Sequence, residues 1–207
     1  GFDAVEIHGA HGYLLDQFLW EGTNQRADEY GGSIEKRGRF VTEIIRACRE
    51  AVGPDFPISL RYSQWKQQDY GARLATTPEE LEAVLQPFAD AGVDIFHCSQ
   101  RRFWEPEFEG SGLNLAGWTR RITGKPTITV GSVSLDADFI PAPGERTFKE
   151  ADPASLDELL RRLENDEFDL VAVGRAMIAN PDWATLVGGG EMGGLQAFRK
   201  EMLFELV

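Results

Sequence analysis

Chemistry in this sequence concentrates in the hexapeptide His8-Gly9-Ala10-His11-Gly12-Tyr13, which directly follows a short apolar run. Glycines interleaved with two imidazoles and a phenol suit a tight loop, because glycine turns the backbone without crowding a ligand. Three readings fit these residue types. The side chains can point over a pocket as hydrogen-bond donors and acids; the histidines can cap strand ends while Tyr13 packs in the core; or His8 and His11 can offer two metal ligands, although no third ligand of matching spacing is evident. A tyrosine, with an ordinary pKa of about 10, gives a proton to carbon only when the acceptor becomes strongly basic in the transition state. An enolate is such an acceptor.

Further polar groups sit at the ends of other apolar runs. Arg61 lies inside Ile58-Ser59-Leu60-Arg61-Tyr62, where a cation is costly unless it meets an anion, so it serves either a buried ion pair or an anionic ligand. Gly131-Ser132 and Gly174-Arg175 end the last two runs. Backbone N–H groups at such ends suit a phosphate, and the Arg175 guanidinium adds a matching fork. The run His97, Cys98, Ser99, Gln100, Arg101, Arg102, Phe103, Trp104 can wall a substrate pocket or form a lid packed on itself.

The elements that must position these groups repeat one grammar. Asp3, Asp94 and Asp169 each lead into a short apolar strand, and Ile58–Tyr62 and Thr127–Gly131 follow prolines, which makes five candidate strands. Helical periodicity covers about Glu35 to Val52, Pro78 to Ala91 with Thr77 as its cap, and Ser155 to Asn165 with Leu156, Leu159, Leu160 and Leu163 as an apolar stripe. Alternating strands and helices imply a parallel sheet. The polar features follow strand after strand at C-terminal ends, and no candidate strand is followed by a G-x-G-x-x-G turn, so a (β/α)₈ TIM barrel is expected rather than a doubly wound sheet. Five units imply an incomplete barrel, a single partial domain over 1–207, and Gly1 opens as if inside a fold, so the chain reads as a piece of something longer. Residues 134–154 read as a surface excursion without a role, and the glycines between 188 and 194 as a flexible connector before a last helix to Val207.

Composition narrows the function classes. Over 207 residues, 34 Asp and Glu against 21 Lys and Arg give a formal net charge of −13. Such a chain repels nucleic-acid backbones and anionic lipid, so neither is an expected partner. No run approaches the roughly 20 apolar residues of a membrane span. Two cysteines without metal or disulfide spacing fit a reducing compartment, and a cytoplasmic protein is expected.

The block from Gly1 through Phe18, with Asn24-Gln25-Arg26, Asp28-Glu29-Tyr30-Gly31-Gly32-Ser33, Arg37 and Arg39-Phe40, resembles the signature of the old yellow enzyme family, the FMN-dependent ene-reductases. Val130-Gly131-Ser132-Val133 and Val173-Gly174-Arg175-Ala176 are similar to that family's phosphate-binding strand ends. The resemblance covers essentially the whole chain and implies the fourth to eighth strands of the barrel, with FMN across its mouth. It implies that His8 and His11 hydrogen-bond the carbonyl or nitro oxygen of an activated alkene, that Tyr13 delivers a proton, and that reduced flavin delivers hydride. NADPH or NADH would reduce the flavin in the other half of a ping-pong cycle. By the same resemblance Arg61 would lie near flavin N1, and Gly131, Ser132, Gly174 and Arg175 would hold the FMN phosphate. No resident metal is implied, and the oligomeric state stays open, a homo-oligomer included.

Two rivals remain. The first is a phosphate-binding barrel such as an isomerase or aldolase. A Schiff-base aldolase needs a lysine at a strand end, yet Lys36, Lys66, Lys125, Lys149 and Lys200 read as helical or connecting, with only Lys66 close to a strand. A non-catalytic barrel fragment would expose strand edges where the remaining units belong.

Overall fold

A computed structural model describes residues 1–139 and 149–204. Its strands are β1 (Val5–His11), β2 (Ile58–Lys66), β3 (Ile95–Ser99), β4 (Thr127–Val130) and β5 (Leu170–Ala172). The helices are α1 (Leu14–Leu19), α2 (Ile34–Val52), α3 (Pro78–Ala91), α4 (Leu115–Thr123), α5 (Asp157–Glu164), α6 (Arg175–Ala179) and α7 (Trp183–Gly188). All four strand pairings are parallel and the sheet order is β1-β2-β3-β4-β5. Strands laid down in chain order, with no reversal, are the arrangement of a barrel wall and not of a doubly wound sheet. The expected partial (β/α)₈ barrel is what folds.

Two of the three repeated aspartates, Asp94 and Asp169, work as register pins. Asp94, just before β3, accepts the Ile58 N–H at 2.7 Å while its own N–H donates to Ile58 O. Asp169, just before β5, does the same to Thr127 at 2.9 Å. Each connector thus holds the start of the preceding strand. The buried row Ile7, Leu60 and Phe96 faces the helices, where α3 is capped by the Thr77 hydroxyl, which accepts the Glu80 N–H at 3.2 Å. The alternate row, His8, Arg61, His97, Ile128 and Leu170, runs across all five strands on the opposite, inner face.

The later part of the signature block, from Asn24 to Phe40, turns out to be scaffold. Asn24 donates to Phe18 O and Tyr30 O and accepts the Arg26 N–H, closing the loop between α1 and α2. Arg37 is buried and donates to Leu19 O at 2.8 Å and Gly32 O at 2.5 Å. Tyr30 donates to Glu43, with Phe18 and Phe40 packed at 4.4 Å.

Several expectations need correction. The first strand runs through His11, so His8 to His11 belong to β1 and not to a loop; the turn begins only at Gly12. The second strand continues past Tyr62 to Lys66, because Ser63, Gln64 and Lys66 find buried partners. Lys66 is therefore a strand-end lysine. It is fully buried and paired to the equally buried Asp16 at 2.7 Å, and burial pushes its amine down and the Asp16 carboxyl up, each opposed by the other's charge.

The leucine stripe on α5 is rotated. Arg162 is buried and donates to Trp104 O and Gly112 O, and so turns Leu160 and Leu163 outward while Leu156 and Leu159 stay inside. The excursion is not simply surface, since Leu135, Asp138 and Ala151 are buried and Leu135 and Ala151 bridge Pro153 and Phe198; Pro141, Pro143 and Gly144 lie outside the described residues. The last helix reduces to a 3₁₀ turn at Lys200–Leu203 after a buried Phe198, with residues 205–207 outside the described set.

The ion pair makes a stability prediction. Asp16→Asn keeps an acceptor for the Gly12 N–H, which Asp16 Oδ2 binds at 2.7 Å, but strands the Lys66 charge, and should cost roughly 3–5 kcal/mol in urea unfolding. Adding Lys66→Met should recover much of that loss. Equal destabilisation of single and double variants would show that the charge itself is not what matters.

Candidate active site

A cavity of about 430 Å³ opens at the C-terminal ends of the strands, a volume suited to a cofactor or drug-sized ligand. Its walls include His11, Tyr13, Arg61, Gly131, Ser132, Gly174 and Arg175. Seven of the eight residues singled out from the sequence therefore share one space. His8 does not line it. It is exposed on the inner face, with its ring 5.4 Å from that of His11 and 5.3 Å from that of Tyr13.

His11 closes β1 with φ of 65°. Its backbone N–H donates to Ser63 Oγ, its Nε2 lies 2.6 Å from Ser99 Oγ, and its ring stacks on Trp65 at 4.5 Å. Burial, with the charges of Arg61, His8, Lys66 and His97, pushes the imidazole pKa down to about 3. His8 is lowered as well, by burial first and then by Arg61. Both rings are thus neutral near pH 7 and each offers a single N–H. Tyr13 caps α1 and is half exposed, and its hydroxyl donates to Gln67 Oε1 at 3.4 Å.

Arg61 has no ion-pair partner among the described residues, and its Nε is buried without a hydrogen bond. The nearby carboxylate is already committed. Glu6 Oε2 lies 2.8 Å from His97 Nδ1 and accepts from Ser59. Burial works against the charge of Glu6, yet the His97 and Ser59 hydrogen bonds and the charges of His97 and Arg61 outweigh it and hold its pKa below the ordinary value.

At the other side, Gly131 has φ of 134°, and a Cβ there would sit 2.7 Å from Gln100 O. Only glycine lets these two loops meet so closely. Ser132 Oγ lies 3.0 Å from Arg101 O and 3.2 Å from Ala137 O, which share its one proton, and accepts from Arg175 Nη2 at 3.2 Å. The Arg175 guanidinium lies over the rings of Phe139 and Phe198 and leaves Nη1 buried without a hydrogen-bond partner among the described residues. Burial draws its pKa down. Gly174 leaves open space where a Cβ would be.

Of the run after β3, Ser99, Gln100 and Arg101 reach the cavity. Cys98 faces the helices against Thr119, its thiol pushed up to about 12 by burial, and Phe103 packs in the core. Sequence reasoning missed Trp65, Gln67, Phe139 and Phe198. The first two were signalled by the strand-end position, had β2 been followed to Lys66. Phe198 carries no local signal. Lys66 is absent from the walls, so no lysine is offered to a carbonyl substrate there. No group of three His, Cys, Asp or Glu residues able to hold a metal occurs among the described residues. None of their helices is long and apolar enough to cross a membrane.

Comparison with known proteins gives the same picture. Residues 1–147 match the model of the NADH:flavin oxidoreductase / NADH oxidase family. The chain is 38% identical over 190 residues to an NADH oxidase of Thermoanaerobacter brockii, covering 88% of this chain and 26% of that protein. It is 35% identical over 184 residues to an NADPH dehydrogenase of Clostridium acetobutylicum, covering 87% and 47%. Morphinone reductase, solved in complex with tetrahydroNAD, superposes with a TM-score of 0.69 at 27% identity, over 95% of this chain and 45% of that one. The chain therefore spans less than half the length of these relatives. Parallel strands in barrel order, polar strand ends gathered on one cavity, and a match over most of the sequence lead to one assignment: the chain belongs to the NADH:flavin oxidoreductase / NADH oxidase family, that of the FMN-dependent old yellow enzymes.

Proposed function

We propose that this chain forms the substrate-polarising and phosphate-binding side of an NAD(P)H-dependent ene-reductase that acts on activated alkenes, α,β-unsaturated carbonyl or nitro compounds. One observation carries the reading: buried N–H groups of Arg61 and Arg175 and the buried Gln100 Oε1, none with a hydrogen-bond partner among the described residues, converge on the cavity that His11 and Tyr13 also line. Unpaired polar groups in such a place are costly unless a ligand completes them.

These residues fit FMN. Arg175, with Gly131, Ser132 and Gly174, would hold its phosphate, because a guanidinium beside crowded backbone N–H groups suits a dianion. Arg61 would face the part of the ring system that gains negative charge. FMN, once reduced by NAD(P)H, supplies the hydride.

The chain's own residues then do the polar work. His11, and beside it His8, whose ring lies 5.4 Å away outside the cavity wall, would donate as neutral imidazoles to the carbonyl or nitro oxygen of the alkene, and those hydrogen bonds strengthen as the oxygen becomes anionic. Tyr13 gives its hydroxyl proton to the α-carbon. Gln67, which accepts from that hydroxyl, keeps the phenol turned toward the cavity.

Two experiments test this. In the flavin-loaded enzyme, Tyr13→Phe should leave flavin reduction by NAD(P)H unchanged and slow reoxidation by an enone about 10²-fold or more in stopped-flow traces. Equal losses in both half-reactions would remove Tyr13 from the proton-transfer role. Gly174→Ala should leave the melting temperature unmoved, since the added methyl meets open space, yet weaken FMN binding in a fluorescence titration. Gly131→Ala should instead lower stability itself, by about 1–3 kcal/mol. FMN affinity unaltered by Gly174→Ala would move the phosphate elsewhere.

A further inference from the structure

We propose that Ser99 is a positioning residue for His11: its hydroxyl donates to Nε2, fixes the Nδ1–H tautomer, and leaves Nδ1 as the one ring N–H that His11 can offer a ligand.

The argument begins with the hydroxyl. Ser99 ends β3 and is 3% exposed, and its Oγ lies 2.6 Å from His11 Nε2 across 88 positions of sequence. A hydroxyl carries one proton. Among the described residues this Oγ has no hydrogen-bond partner besides Nε2, which makes that nitrogen the acceptor within the protein that its proton can reach. An imidazole that stays neutral well below pH 7 has only one N–H, and if Nε2 accepts, that N–H is Nδ1.

The ring has no freedom to escape the arrangement. Trp65 stacks on it with an interplanar angle of 26°, and the Trp65 indole donates to Ser99 O at 3.2 Å. Ser63 Oγ accepts the His11 backbone N–H at 2.9 Å and donates to Trp65 O at 2.7 Å. His11, Ser63, Trp65 and Ser99 therefore close a circuit joining the C-terminal ends of β1, β2 and β3. Rotating the imidazole to present Nε2 to a ligand would break the Ser99 bond and the stack together. A partner that sets which ring nitrogen holds the proton decides what the ring can do.

The tautomer follows from this circuit alone, whereas its consequence for turnover rests on the proposed function. The test separates them. The chain has three histidines, His8, His11 and His97, so long-range ¹H–¹⁵N spectra of ¹⁵N-histidine-labelled protein, assigned with His8→Gln and His97→Gln, resolve the His11 tautomer. Nδ1–H is expected in the wild type, with a shift of population to Nε2–H in Ser99→Ala and a return in Ser99→Thr. In the flavin-loaded enzyme, Ser99→Ala should lower kcat/KM for the alkene roughly tenfold, the worth of one neutral hydrogen bond, with flavin reduction unchanged and Ser99→Thr recovering most of the loss. A wild-type His11 in the Nε2–H form overturns the proposal without any variant, as does a tautomer indifferent to Ser99→Ala. A tautomer that moves while alkene turnover stays constant supports the Ser99 assignment and counts against His11 as the substrate's donor.

Discussion

A guanidinium with no carboxylate of its own, set on the inner face of a parallel sheet, governs what its neighbours can do. Arg61 occupies the middle of the row His8, Arg61, His97. The acid next to it on β1, Glu6, is held by His97 and Ser59, and among the described residues Arg61 has no ion pair, so its positive charge faces the cavity instead. Its field, added to burial, keeps His8 and His11 unprotonated. In the proposed reaction they would act as neutral donors, whose hydrogen bonds strengthen only as a ligand oxygen acquires charge. The whole chain carries a net charge of −13 and would repel an anion at long range. A local, desolvated cation reverses that sign at short range, where screening is weak.

Support for this arrangement passes through a buried ion pair. Asp16 holds the Gly12 N–H and pairs with Lys66, whose Nζ also donates to Ser63 O at 3.1 Å. Ser63 in turn accepts the His11 N–H. Two charges that never meet solvent thus fix both ends of the turn that carries His11 and Tyr13. Such a pair is weak evidence of added stability, because desolvation offsets its attraction, but it penalises any shifted geometry heavily.

How much of this the sequence disclosed depends on the range over which each signal acts. The strands, the Thr77 cap and the barrel order were legible because aspartate connectors, prolines and apolar periodicity are local. Seven of the eight chosen site residues met in one cavity, since polar residues just past strand ends are forced together by a parallel sheet. The true ends of β1 and β2 were hidden. Ser63, Gln64 and Lys66 look like loop residues until their buried partners, Ser63 to His11, Gln64 to Leu74 and Ala75, and Lys66 to Asp16, are known. Those partners lie 10 to 52 positions away, beyond any periodicity. The rotation of α5 was invisible for the same reason, because Arg162 is held by carbonyls of a distant loop.

Backbone strain falls where these long-range contacts gather. Four described non-glycine residues have positive φ: His11, Ser132, Ser134 and Asp166. Two of them, His11 and Ser132, line the cavity. A glycine would relieve a cost of order 1–3 kcal/mol at either place, yet each position keeps a side chain that a glycine could not replace. The His11 ring needs the left-handed backbone to meet both Trp65 and Ser99, while Ser132 needs it to bind Arg101 O, Ala137 O and Arg175 at once. In both cases the strain is retained because one side chain must satisfy partners from two or three different strand ends or loops, and that is the condition under which a ligand's surroundings are fixed before it arrives.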